Sequence, residues 1–186
     1  LSRTVRFVAL LSSTLTVESM IFLANRTNLD NRTLLTRLHN RLQTQASTAE
    51  SPVEEVWYHT SAGNKVGVRA TINVPQFLDS EYPVDDAELH VSFAFPSNYS
   101  YDFYKIQWVE ATRDLMIGWH QDETHMDLGN CHFQIDYAGE TVQRDPSAFL
   151  DSHPLNVFEQ RTTDLVSILD ELYWDNEQPS VPNHLV

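Results

Sequence analysis

One cysteine, Cys131, stands in 186 residues, so the chain forms no internal disulfide and reads as a protein of a reducing compartment. Lysine is almost as scarce. Lys65 and Lys105 are the only two, and arginine supplies the rest of the 12 bases. These 12 face 26 acids, which leaves a formal net charge of −14 with histidine neutral. Long apolar runs are missing too. The longest uncharged, apolar-leaning stretch, Phe7–Val17, has 11 residues and ends at Glu18, whereas a membrane-spanning helix needs about 20. Arg3 and Arg6 ahead of it imitate the start of a secretory signal, but no small-x-small cleavage pattern follows. The expectation is a cytoplasmic protein with no membrane contact.

What is present suffices for a core. Hydrophobic residues at 41% and aromatics at 11% exclude a wholly disordered chain. A chain of this length buries roughly 70% of its unfolded surface, so it needs no disulfide, metal or partner merely to fold. The acid excess, with arginine nearly replacing lysine, reads as adaptation to high salt and hence as a haloarchaeal protein. An ordinary acidic protein is the alternative.

The charge divides the chain. Residues 1–45 carry Arg3, Arg6, Arg26, Arg32, Arg37 and Arg41 against Glu18 and Asp30, a net of 6 − 2 = +4. Residues 46–186 carry 6 bases and 24 acids, a net of −18. A short polar linker, Gln45–Pro52, lies between the two regimes. The basic part reads as three short helices: Thr4–Leu11, Val17–Ala24, and a third from Asp30 or Asn31. That third helix has Leu34, Leu35, Leu38 and Leu42 on one face. Arg32, Arg37 and Arg41 fall largely off this face, an arrangement similar to a helix-turn-helix that sets arginines on phosphates and base edges. A helical cap on the body and a dimerisation arm are the alternatives.

Beyond residue 52 the apolar period changes to two. Six strands are expected, near Glu55–Thr60, Val66–Val74, Glu88–Phe95, Tyr104–Val109, Leu115–His120 and Cys131–Tyr137. The first two join through a turn holding Gly63-Asn64, which could be the wing of a winged helix-turn-helix. An amphipathic helix follows Pro154, with Leu155, Phe158, Leu165, Leu169 and Leu172 on its apolar side. The fold class is therefore α+β: an antiparallel sheet of five to six strands with a C-terminal helix on one face, preceded by the small helical segment. The acidic domain spans 52–174, and residues 175–186 are expected to fray.

The most informative stretch runs from Trp119 to Gln134. A hairpin symmetric about Met126 sets His120 opposite His132, Gly118 opposite Gln134, and Trp119 opposite Phe133. Opposed Cβ atoms lie about 4.5–5.5 Å apart, so two imidazoles can share one ion or one substrate. His125 in the loop is a third candidate, and Asp122 or Asp127 could orient a ring. Two chemistries remain open: acid–base catalysis by His120, His132 and His125, or a divalent metal such as zinc on the same three. A structural role, with imidazoles bonded across the sheet, is the bland alternative. The register is fragile, because a slip of one residue sends a histidine into the core. Arg69, His90, Lys105 and Gln107 share the same open face, where Arg69 or Lys105 could meet a phosphodiester. Cys131 falls on the core side, and His153 reads as a helix-start residue. Tyr99, Tyr101 and Tyr104 could stack on bases or roof the core edge.

From about residue 87 to 172 the chain resembles the TumE-like toxin family of prokaryotic toxin–antitoxin modules. The resemblance lies in Trp119-His120 at a strand end, His125 in the loop, His132 on the next strand, and the C-terminal helix. It is also similar to haloarchaeal proteins with Trp-His-x-Asp-x-x-His and a later His-Pro, here His153-Pro154. The basic segment 1–45 lies outside the family. The resemblance implies a host-directed, RNA-directed role held in check by a partner, either an antitoxin-like protein or a second copy engaging residues 1–45. The leading expectation is a toxin-type, RNA-cleaving protein. The rival is a non-enzymatic DNA-binding regulator in which Arg32, Arg37 and Arg41 contact DNA and the histidine hairpin senses a metal or braces the sheet.

Overall fold

The computed structural model describes residues 31–95, 103–150 and 153–186. Of the three expected N-terminal helices, the first two lie outside these residues. The third is α1, Asn31–Ala46, with Leu34, Leu35, Leu38 and Leu42 buried as their spacing predicts. Its apolar stripe closes on the first two strands of the sheet. Those leucines belong to one continuous buried cluster with the strand residues, so α1 shares the core of the body and acts as a cap on it.

The sheet has seven antiparallel strands in the order of the chain. They are β1 Val53–Ser61, β2 Asn64–Asn73, β3 Asp86–Ala94, β4 Phe103–Glu110, β5 Leu115–Gln121, β6 His132–Tyr137 and β7 Glu140–Pro146. A short α2, Val74–Leu78, follows β2, capped by the Asn73 side chain on the Gln76 N–H at 3.1 Å. Helix α3, Pro154–Asp170, packs against β4. His153 is its N-cap, as its place before Pro154 predicts: Nδ1 accepts from the Leu155 N–H at 3.2 Å. The architecture is α+β, with helices on the apolar side of the sheet and a polar face on the other.

Two findings depart from the sequence reading. The seventh strand was not expected, because Glu140–Pro146 holds a single large apolar residue, Val142, and shows no alternation. Its turn is a tight two-residue connection in which Ala138 and Gly139 both take positive φ, 52° and 80°. That is type I′ geometry, which an alanine at the first position disguises. The tail is the second departure. Residues 173–186 do not hang free: β8, Tyr173–Asp175, pairs with β9, Gln178–Ser180, and Val181 is buried. Gln143 of β7 clamps this end, its Oε1 accepting from the Val181 N–H at 3.0 Å while its Nε2 donates to the Val181 carbonyl at 3.2 Å. Burial of Val181 and this paired amide oppose the fraying that Pro179 and Pro182 led one to expect. Among the described residues no helix is long and apolar enough to cross a membrane.

Candidate functional site

The cross-strand register places the site. Lys105 pairs with His120 and His120 with His132, in one row across β4, β5 and β6. The next row runs Arg69, His90, Gln107, Gly118, Gln134, Arg144 from β2 to β7. Opposite residues in such rows are the closest side-chain neighbours a sheet allows. The hairpin register is the one the sequence predicts: Gly118 faces Gln134, Trp119 faces Phe133, and the last two meet edge-on in the core at 5.5 Å between ring centroids.

The face is not open at its centre. His132 is 1% exposed and His120 8%. The burial has a local cause: the loop after β5 folds back toward the sheet and brings His125 against His132. Asp122 Oδ1 accepts from the Thr124 N–H at 2.9 Å, and Asp122 Oδ2 lies 3.3 Å from Lys105 Nζ. The loop carries His125 to His132, ring centroids 5.0 Å apart at 88°, while His120 meets His132 at 5.1 Å and 78°. Three imidazoles thus surround one point of the sheet, with His132 in the middle.

Their hydrogen bonding is uneven. The Gln107 amide Nε2 lies 3.0 Å from His120 Nε2. Both ring nitrogens of His132 are buried; neither has a partner of full hydrogen-bond geometry, and its one polar neighbour of hydrogen-bonding kind is the Gln134 side chain. Gln134, two residues along β6, interacts with His132 and is shared with other groups. It donates to both Asp136 carboxylate oxygens at 2.7 and 2.8 Å and accepts from Arg144 Nε at 2.9 Å.

Burial governs the protonation of these rings. It pushes His120 from 6.5 down to about 4, helped by the charges of Lys105 and His132 and opposed by Asp122 and Asp136. Burial also holds His132 below its ordinary value, against the pull of Asp122. Burial would raise Asp122, but the Thr124 hydrogen bonds and Lys105 outweigh it and keep the carboxylate ionised below its usual range. Both central imidazoles are therefore neutral at pH 7.

The metal expectation on His120, His125 and His132 does not fit. Among the described residues no group of three or more His, Cys, Asp or Glu side chains is placed to hold an ion. His120 Nε2 already has an amide partner.

The predicted cations are placed unequally. Lys105 joins the imidazole row, paired with Asp122. Arg69 lies on the same face two strands away, 3.9 Å from Glu88 Oε2. Arg32, Arg37 and Arg41 belong to α1, whose leucines pack in the core, so the sheet separates them from the imidazoles. Arg41 forms an ion pair with Glu159 of α3. Tyr104 is buried and roofs the core edge; Tyr99 and Tyr101 lie outside the described residues.

Sequence reasoning missed Arg161. It is 4% exposed, behind the hairpin on the core side. Its Nη2 donates to the Ala148 carbonyl at 2.5 Å, its Nη1 lies 3.3 Å from Asp164 Oδ2, and its guanidinium sits 4.9 Å over the Trp119 ring. Nε and Nη2 both reach the Tyr104 hydroxyl at 3.4 Å. The signal was available: Arg161 stands three residues after Phe158 and four before Leu165, on the buried stripe of α3. Cys131 sits beside it as an inert buried thiol, pushed up by burial.

A comparison with family models, with curated proteins and with solved structures found no match to this chain.

Proposed function

We propose that this chain is a toxin-type, RNA-directed protein of a haloarchaeal toxin–antitoxin-like module, cytoplasmic, that cleaves phosphodiester bonds through His120 and His132. The observation that carries the reading is the cluster of three imidazoles, with the buried and poorly hydrogen-bonded His132 between His120 and His125. An unsatisfied buried polar atom costs about 1–3 kcal/mol, so this ring weakens the fold where a leucine would not. The resemblance to TumE-like toxins supports RNA as the target.

The chemistry follows from the pair. A neutral imidazole takes the proton of a ribose 2′-hydroxyl, whose oxygen then attacks phosphorus. The second ring, protonated, gives its proton to the departing 5′-oxygen, leaving a 2′,3′-cyclic phosphate. In the closed form burial keeps both rings neutral. Lifting the 122–130 loop returns water to them, brings them back toward 6.5, and lets one carry the proton that the leaving oxygen needs. Lys105, beside His120 in the same row, would meet the phosphoryl oxygens as Asp122 withdraws with the loop. His125 leaves with the loop and gates access. Residues 1–45 would engage the antitoxin-like partner or a second copy.

A DNA-binding regulator is the second reading. One observation favours it: Arg32 and Arg37 lie on the exposed side of α1. The histidine hairpin would then only brace the sheet.

RNA incubated with the full chain in concentrated salt tests the first reading. Fragments ending in cyclic phosphate are expected, with His120→Asn and His132→Asn each slowing cleavage about 100-fold or more while circular dichroism is unchanged. Absence of cleavage of any RNA, or equal rates in all three proteins, overturns it.

A further inference from the structure

The polar face has a concavity on β1–β4. A cavity of about 150 Å³ is lined by His59, Gly67, Arg69, His90, Ser92 and Gln107. That is room for about five water volumes, enough for a phosphate group and its residual water. Gly67 forms part of its floor, where β2 and β3 approach too closely for a side chain. It pairs with His59 across β1 and β2, and a Cβ there would stand 3.6 Å from the Ser92 Cβ and 2.8 Å from the Val91 carbonyl oxygen. Arg69, one row over, pairs with His90.

The groups around the cavity are mostly donors with capacity to spare. The Arg69 guanidinium, half-buried, reaches only Glu88 Oε2 at 3.9 Å, beyond hydrogen-bond distance. The His59 ring and the Ser92 hydroxyl make no hydrogen bond among the described residues. Gln107 Nε2 uses one of its two N–H groups on His120. Glu88, outside the lining, accepts from His90 Nε2 at 2.6 Å and keeps its negative charge, which Arg69 at 3.9 Å offsets in part.

We propose that this cavity is a phosphate subsite. Arg69 supplies the charge and a bidentate fork, and His59, Ser92 and the free Gln107 N–H complete the cradle. Gln107 joins the two places, since it lines the cavity and touches His120. The subsite would hold a phosphate neighbouring the scissile one along an RNA strand, and in that assignment it rests on the RNA reading. Phosphate binding itself does not.

Inorganic phosphate is titrated into the full ¹⁵N-labelled chain at constant ionic strength. Saturable shifts are expected at residues 59, 67–69, 90–92 and 107, with affinity about tenfold weaker in Arg69→Gln. Gly67→Ala should abolish binding; because it can also disturb the sheet, Arg69→Gln is the deciding variant. If wild type shows no saturable shifts, or Arg69→Gln binds equally well, the subsite is wrong. The second arm follows RNA cleavage by Arg69→Gln, where a raised KM with kcat unchanged identifies the strand as the source of the phosphate. Saturable phosphate binding in a chain that cleaves no RNA keeps the subsite, makes free phosphate its ligand, and removes the RNA reading alone.

Discussion

Gly118→Ala is expected to lower stability by about 3 kcal/mol or more, a drop in Tm of roughly 6–12 °C for a chain of this size. The sign is not the ordinary one. Replacing glycine inside a strand usually stabilises, by roughly 0.5–1 kcal/mol, because the unfolded chain loses freedom. Here an added Cβ would stand 2.3 Å from the Ile106 carbonyl oxygen and 2.8 Å from the Gln107 Cα. Both are backbone atoms of β4, held by the ladder, so neither can swing aside. The strands must part where Gln107 reaches His120, and the amide contact at 3.0 Å goes with them. Differential scanning calorimetry of wild type and variant measures the drop. A Tm within a degree of wild type would mean that β4 and β5 are less closely apposed than described.

A second large effect is loss of stability in mild acid. The folded chain holds His120 at about 4 against an ordinary 6.5. As pH falls below 6.5 the unfolded chain takes up this proton first, so stability is full above about pH 6.5 and falls until about pH 4. Below that both forms are protonated and the slope ends. This one group is worth up to about 3 kcal/mol over the window. His132 and His90 are shifted the same way by burial and add to the slope. Protonation of surface carboxylates relieves self-repulsion in a chain of net charge −14 and works in the opposite direction. The difference between wild type and His120→Asn therefore isolates the effect. Urea melts from pH 7.5 to 4.5 should show the wild-type curve falling more steeply than the variant's as pH falls. Parallel curves would show that His120 is not held neutral by burial.

The legible and illegible parts of this fold separate on physical grounds. The His120–His132 register could be read because Trp119, Phe133 and Cys131 alternate with polar neighbours, and one slip would bury the wrong set. The leucines of α1 were equally plain from their spacing. Strand β7 was not, because an edge strand with one large apolar residue carries no period to detect. Alternation identifies which face a side chain takes but not what lies over that face. The contact of His125 with His132 depends on the path of an irregular loop, so the burial of both central rings was invisible. Arg161 was overlooked for the converse reason: a cation on an apolar stripe reads as a fault in the pattern until Ala148, Tyr104 and Trp119 are seen around it.

If the imidazole of His132 serves chemistry and not stability, His132→Leu separates the two. Leucine has similar bulk and leaves no buried nitrogen unbonded. Urea unfolding at pH 7.5 should show the variant more stable by about 1–2 kcal/mol, with RNA cleavage lost in the same preparation. A variant less stable than wild type that cleaves RNA at the wild-type rate would show the ring to be a brace of the sheet.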